Sequence, residues 1–473
     1  VVRRSPHYLR HAGRFLRVLA VRPPLMDVNP FAAPAAARGT LRLHPEMAGN
    51  EATIDAKVSV VIPTLNAGEE LGWLLRKLDA QRAVREVEVV VVDSGSNDGT
   101  PTLARELGAK VVEITPAEFT HSHARNLGAD AASGDYLLFM VQDAYPIGDL
   151  WLYGMLRYLL DHAGQGVVAA SCAEYSRSDS DLMYDCNIAT HYRFLGCLDA
   201  DRIGAHIGDD HMALRSMGQL SDVSCLIARP LFMRHRYRGD YAEDLDLGIR
   251  LIRDGHKVAM LASVKVIHSH NRPAFYYLKR SFVDVIFLVG LFDDFHCPPC
   301  ESMAGLADGA RFVAVRLTKW LAAVDELADG VAMDDQLARW MQELRNSSSA
   351  SASVDGAAVA TGDERVDAFL AGLATLAAPL REHGSPAAAQ REHARFVDSF
   401  MARAEHFRHY LASVHGPADA RVRREVADAM RKTLASTLGA ALAFLYLDRK
   451  SAPEDDGEKQ LVGTLFRQLR AGV

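Results

Sequence analysis

The sequence of 473 residues has no long apolar run. Its longest, VIFLVGLF at 285–292 and GAALAFLYL at 439–447, fall well short of the ~20 residues a spanning helix needs, so no membrane crossing is expected. Cysteine is scarce. The six, at 172, 186, 197, 225, 297 and 300, are scattered rather than spaced as a disulfide framework, which reads as a reduced, cytosolic chain. There is no basic excess either: a formal net charge of −7 and a pI near 6.3 argue against a nucleic-acid partner. A polyphosphate ligand would have to be met by local groups.

A basic stretch stands at the start, where the first 22 residues carry six arginines and no acid. The arginines interrupt the apolar residues, so no signal-peptide core forms. Residues 1–55 are therefore expected to be a basic extension. It is either a solvated terminus or a surface suited to anionic lipid at the inner face of a membrane.

Composition otherwise fits a packed globular chain, with 49% hydrophobic and 24% charged residues, and the length suggests roughly two to three units. Between Lys57 and Val141, short β-branched runs alternate with helical patterns, as in a parallel sheet with crossover helices. The expected strands are 57–62, 87–92, 110–114 and 136–141, followed by SCLIA at 224–228 and VKVI at 264–267. Thr100 is expected to cap the helix after the second strand, with Pro101 at its first position and Gly108 at its end. A further helix, DLDLGIRLIRD at 244–254, stops at Gly255. This α/β domain should span 56–295. An alanine-rich helical region should fill 296–473, with a flexible linker at 346–358, NSSSASASVDGAA.

In open α/β sheets ligands collect outside the carboxyl ends of the strands, so Pro63–Asn66, Asp93–Ser96 and Gln142–Asp143 should share one rim. At such a rim Asp93 can accept an imide proton from a pyrimidine base or cap its own turn. Thr64 and Asn66 can line the same pocket or shape the loop. Asp143 is a hard oxygen ligand for magnesium or manganese on a diphosphate, or a helix cap. Glu243 and Asp244 open a helix whose Leu247, Ile249, Leu251 and Ile252 face inward. They complement its dipole, or supply a carboxylate base for an acceptor hydroxyl. His268 and His270 are plausible additional metal ligands. His121, His123 and the Asp209–Asp210–His211 cluster compete with them, whereas the Cys297/Cys300 pair lacks the further ligands of a zinc site.

Four segments, VSVVIPTLN, VVVVDSGSNDGT, HARNLGADAASGDYLLFMVQDAYP and YAEDLDLGIRLIRDGHKV, resemble family 2 glycosyltransferases of the GT-A fold. EFTHSHARNLGA, VQDAYP and VIHSHN followed by YLKRSFVD are similar, more narrowly, to bacterial rhamnosyltransferases that use dTDP-rhamnose. The resemblance covers Ala56 to Phe292. It implies a Rossmann-like, mostly parallel nucleotide-binding sheet. It also implies that Thr64, Asn66, Asp93 and Ser96 meet the nucleoside, with Pro63, Ser94, Gly95 and Gln142 in the same pocket. Arg125 and Asn126 would shape the diphosphate site, and Asp143 would be the second aspartate of a DXD motif whose first position is Val141. Asp244 would be the base and His268 would complete a Mg2+ or Mn2+ site. Asp222, Ser224 and Glu243 would lie toward the acceptor.

The implied reaction is inverting transfer from a nucleotide-diphosphate sugar to a saccharide or lipid-linked saccharide, in cell-surface polysaccharide synthesis. The rival readings are nucleotidyl transfer on a related sheet and a noncatalytic saccharide-binding scaffold. The C-terminal helices suit self-packing or contacts between copies.

Overall fold

Runs of valine and isoleucine build the middle of a nine-stranded sheet. Its strands are β1 (Ile54–Thr64), β2 (Val84–Asp93), β3 (Lys110–Glu113), β4 (Tyr136–Met140), β5 (Tyr145–Pro146), β6 (Val167–Tyr175), β7 (Arg202–Gly204), β8 (Ser224–Ala228) and β9 (Lys257–Ile267). The spatial order is β3-β2-β1-β4-β8-β6-β9-β5, and β7 pairs with β9. Strands β1 to β4, β6 and β9 share one direction. β8, β5 and β7 run against their neighbours, so the sheet is mixed but mostly parallel.

This computed structural model describes residues 52–348, 359–377, 385–414, 419–450 and 456–470. Two compact units divide the chain: one extends through Ser180 and resumes over Asn187–Ser269, and the other takes Asp181–Cys186 and everything from His270.

In the first unit, helices α1 (Gly68–Asp79), α2 (Thr100–Glu106), α3 (His121–Ala131) and α4 (Trp151–His162) alternate with the strands. After α5 (Leu182–Leu195) come α6 (His211–Gly218), α7 (Arg229–His235) and α8 (Glu243–Arg253). Val58, Val60 and Ile62 of β1 pack with Leu71 and Leu74 of α1, Leu138 of β4 and Leu226 of β8 in one buried core. Leu247, Ile249, Leu251 and Ile252 of α8 are buried, as their spacing predicts.

Several details differ from the expectations of the sequence. β6, VVAASCAEY, is central yet absent from the expected strands, because its alanines and serine weaken the β-propensity signal and the strand is fixed by neighbours on both sides. Thr100 is the first residue of α2 rather than its cap. Gly99, at φ 89, precedes the helix, and the buried Thr100 hydroxyl accepts the N–H groups of Ala67 and Gly68 at 2.9 and 3.0 Å. It thus caps the start of the neighbouring α1. Gly108 does close the turn after α2, with φ 84.

Among the described residues the second unit is built from helices: α9 (Ala274–Leu291), α10 (Met303–Asp325), α11 (Met333–Ser348), α12 (Glu364–Ala377), α13 (Pro386–Val414), α14 (Ala420–Arg449) and α15 (Asp456–Arg470). The boundary falls at 269/270 rather than near 295. The reason is that α9 packs on α14, so closely that a Cβ on Gly439 would lie 2.0 Å from the Leu278 carbonyl oxygen. Gly305 of α10 likewise meets the backbone of Ala389 on α13. Glycine, with no Cβ, is what these two backbone approaches require. Trp320 and Trp340 add a ring contact at 5.2 Å.

The expected linker begins later than its composition suggests, since α11 continues through Ser348, and 349–358 lie outside the described residues. Of the basic extension, residues 1–51 also lie outside them, and β1 already begins at Ile54. No helix among the described residues is long and apolar enough to cross a membrane.

Candidate active site

The register of the sheet gathers the polar strand ends at one rim. Thr64 pairs with Asp93 and Asp93 with Glu113, Met140 pairs with Ser224, and Tyr175 pairs with Ile267. Because β8 runs opposite to β4, its beginning lies at this same rim, which brings Asp222 to it. The Asp222 N–H donates to Oδ2 of Asp244 at 3.3 Å, bringing in the first turn of α8. Asp93, Asp143 and Asp244, far apart in sequence, therefore lie along a single edge.

At one end of the rim the first three loops are tied together. Asp93 is buried; its Oδ1 accepts the N–H groups of Gly95 and Ser96 at 3.1 and 2.9 Å, and its Oδ2 accepts the hydroxyls of Thr64 and Ser96 at 2.9 and 2.5 Å. Both of its carboxylate oxygens thus serve the loop, as the turn-capping alternative requires. The hydroxyls can rotate away to admit another donor, whereas the N–H groups are fixed. Asn66, at φ 49, accepts from the Asn97 N–H at 2.9 Å and donates its own N–H to the Ser96 hydroxyl at 2.7 Å. The Ser94 hydroxyl donates to the Thr64 carbonyl at 2.8 Å, and Gln142 accepts from the Leu65 N–H at 2.9 Å. Pro63 stands opposite Val92 in the β1–β2 ladder. Gly95, at φ 92, has room for no side chain, since a Cβ would lie 2.9 Å from the Pro116 ring.

In the middle of the rim lies a buried cluster of charge. Arg125 of α3 pairs with Glu243 at 2.5 Å and with Asp222 at 3.2 Å. The Tyr237 hydroxyl donates to Asp222, and its ring packs against both Phe139 and Phe232, at 4.9 and 5.2 Å. Asn126 grips the main chain of Tyr237, donating to its carbonyl at 3.0 Å and accepting its N–H at 3.2 Å. Burial pushes the carboxyl of Asp222 up to about 7, and burial followed by the repulsion of Asp222 does the same to Asp244. Glu243 is also raised, by burial opposed by Arg125. Arg125 facing three acids leaves the group short of positive charge, so it holds a proton into the neutral range.

This arrangement engages five of the expected site residues in contacts within the protein. Arg125 and Asn126 are committed to the acids and to Tyr237, not open toward a diphosphate. Asp222 and Glu243 are buried in ion pairs rather than facing an acceptor. The Ser224 hydroxyl lies inside the sheet, 3.0 Å from the Cys172 sulfur and 3.8 Å from that of Met155, because the β4–β8 register turns it inward. Asp244 is the partly open member, at the start of a helix entered through Ala242 in the left-handed region, φ 47.

At the far end, Oδ1 of Asp143 lies 3.6 Å from Nε2 of His268. The other ring nitrogen, Nδ1, lies 2.6 Å from Oε2 of the buried Glu174. Burial lowers the proton affinity of this imidazole, but the Glu174 carboxylate more than offsets it, and His268 is displaced upward overall. A cation about 2.1 Å from each of two ligand atoms can sit between donors this far apart. Val141, at the first DXD position, packs against the core and offers no ligand.

Glu174 escapes sequence reasoning along with β6; an acid ending the apolar run VVAASCAEY is the available signal. Arg177, two residues past β6, escapes it too. It pairs with Asp179 at 3.1 Å and bears electrostatically on His268 and on Glu70. The competing candidates serve other ends. Asp210 caps α6 through the Ala213 N–H at 2.9 Å, Asp209 pairs with His206 at 3.1 Å, and His121 stacks edge-on to Phe119 at 5.1 Å. None of the six cysteines forms a disulfide among the described residues.

Residues 59–223 match the model of glycosyl transferase family 2. The chain carries a family 2 glycosyltransferase domain. It is similar to the O-antigen chain rhamnosyltransferase RfbN of Salmonella typhimurium, at 26% identity over 46% of this chain and 67% of that protein. It is also similar to WbaN of Salmonella anatum, at 24% over 45% and 66%. The aligned segment spans about two thirds of the length of these relatives. A mycobacterial PGL/p-HBAD biosynthesis glycosyltransferase, from Mycobacterium bovis, is 28% identical over 55% of this chain and 90% of its own. Among solved structures, the mannosyltransferase PcManGT from Pyrobaculum calidifontis, in complex with GDP-Man and Mn2+, is 18% identical. It covers 82% of this chain and 95% of its own, with a TM-score of 0.41.

Proposed function

We propose that the chain is an inverting, metal-dependent glycosyltransferase that moves a sugar from a nucleotide-diphosphate donor to a saccharide or lipid-linked saccharide. The observation that carries this reading is the pairing, along one sheet rim, of a buried-acid group around Asp244 with the Asp143–His268 pair. Asp143 and His268 would hold Mg2+ or Mn2+. When bound, that ion neutralises charge on the departing diphosphate.

The loops at Thr64–Asn66 and Asp93–Ser96 bind the nucleoside, with a rotated Thr64 or Ser96 hydroxyl freeing Asp93 to accept from the base. Asp244, raised toward neutrality, accepts the proton of the acceptor hydroxyl as that oxygen attacks the anomeric carbon from the side opposite the diphosphate. Arg125 keeps the acids around it compact. The rhamnosyltransferase names of RfbN and WbaN make a rhamnose donor the first to try, with dTDP as the carrier that the sequence resemblance implies. The arginine-rich start and the C-terminal helices would bring the site to lipid-linked acceptor at the inner membrane face, or join copies of the chain. Deleting the first 51 residues should then weaken vesicle binding.

Donor turnover across dTDP- and UDP-sugars, with and without manganese, tests the main reading. Metal-stimulated turnover of one donor is expected. Absence of turnover with every donor in the presence of both metals and a saccharide mixture would sink it.

A further inference from the structure

We infer that Glu174 is a positioning residue that fixes the ring of His268 with its Nε2 toward Asp143, and so sets the affinity of this edge for a divalent cation. The inference rests on the metal-dependent reading above. Glu174 and His268 arrive on adjacent parallel strands and just beyond them: Tyr175 pairs with Ile267, and the His268 N–H continues the ladder to the Tyr175 carbonyl at 2.9 Å. Both side chains are buried.

The Glu174 carboxylate is itself held. Its Oε1 accepts the Tyr192 hydroxyl at 3.1 Å, and that hydroxyl in turn accepts the Glu174 N–H at 3.0 Å. This anchors the carboxylate with Oε2 turned to Nδ1 of His268, at 2.6 Å. An ionised carboxylate can only accept, so Nδ1 carries hydrogen, and Nε2 is the nitrogen whose lone pair can reach a metal. The 3.6 Å from Nε2 to Asp143 is too long for a good hydrogen bond but suits two ligands of one cation. A carboxylate on the outer nitrogen of a ligating histidine fixes its tautomer and strengthens it as a ligand.

The test is Mn2+ binding read by electron paramagnetic resonance, in the presence of UDP or dTDP, for the full chain and the variants Glu174→Leu, Glu174→Gln and Asp143→Asn. Glu174→Leu should bind Mn2+ about ten- to a hundredfold more weakly, and Glu174→Gln should lose less because its amide oxygen still accepts from Nδ1. Nitrogen-15 spectra of the His268 ring should show hydrogen on Nδ1 in the parent and in Glu174→Gln. Glu174→Leu should show a mixture of tautomers, a change that general loosening of the fold would not produce selectively. If Asp143→Asn loses Mn2+ while both Glu174 variants bind as the parent does, the role of Glu174 is overturned and the metal site stands. If the parent binds no Mn2+ with either nucleotide, the metal reading falls and this inference falls with it.

Discussion

The main-chain N–H of Asp222 donates to the carboxylate of Asp244 at 3.3 Å, and this holds two acids raised to about 7 side by side, Asp222 buried and Asp244 partly open. A base must be deprotonated to work, so transfer should rise as pH passes through about 7 and level off above it. Asp222→Asn removes a like charge beside Asp244, which favours ionisation, so the midpoint should move toward acid. Initial rates across the neutral range check this, and an unmoved midpoint would show that the two acids do not titrate together.

Asp244→Asn keeps the shape of the side chain and removes its basicity. Turnover should fall by about two to four orders of magnitude, while affinity for the nucleotide diphosphate stays within a few-fold, because a base acts in the transition state and not in donor binding. Rates and calorimetric nucleotide titration, compared on the same preparation, separate the two. Undiminished turnover would remove Asp244 from the reaction.

Arg125 is the cation bonded to both Asp222 and Glu243, and all three side chains are buried. Arg125→Met should therefore destabilise the first unit by about 3–5 kcal/mol, the usual result of leaving buried carboxylates unpaired. Loss of the positive charge also favours the protonated acids, so whatever activity survives should have its midpoint moved toward alkali. Thermal denaturation and the pH profile read these two effects. A melting point equal to the parent's would mean that solvent already reaches the acids.

How much of this is legible in the sequence follows from what each feature depends on. The Val-rich strands β1 and β2 and the apolar run YLLFM of β4 announce themselves locally, and the rule that ligands gather at strand ends then brings Asp93 and Asp143 to one rim on the amino-acid pattern alone. β6 does not announce itself. Its middle, AASCA, is set by flanking strands rather than by its own propensity, and Glu174 is hidden with it. The commitment of Arg125 and Asn126 is hidden for another reason, since their partners Glu243 and Tyr237 lie 118 and 111 residues away. Ser224 reads as outward-facing because a one-residue change of register reverses the face of a strand residue, and sequence alone does not fix register.

Asp93 accepts from two N–H groups and two hydroxyls, so Asp93→Asn would turn an NH2 group toward donors. This should cost about 1–3 kcal/mol of stability and weaken nucleotide binding, since the loops that line the pocket lose their anchor. Thr64→Val removes only one of the four donors and should cost no more than about 1 kcal/mol. Melting curves with and without UDP or dTDP compare the two variants. Equal nucleotide affinity in Asp93→Asn and the parent would assign Asp93 to the turn alone.

The aim of Asp244 depends on a glycine contact one turn along its helix. A Cβ on Gly248 would lie 1.8 Å from the carbonyl oxygen of Gly218, the last residue of α6, so α8 and α6 meet backbone to backbone. Gly248→Ala cannot be absorbed by a side-chain rotation, because the clash is with main chain. The helices must separate, at a cost of about 1–3 kcal/mol, and the first turn of α8 shifts with them. Turnover should fall more than donor affinity, because the nucleoside loops lie on β1 and β2 and do not touch this contact. Gly372→Ala supplies the control: it sits inside α12 with nothing within 4 Å of a new Cβ, so it should be neutral or stabilising by up to about 1 kcal/mol. A Gly248→Ala enzyme with the parent's turnover would mean that Asp244 is aimed by its bond to Asp222 and not by the packing of α8.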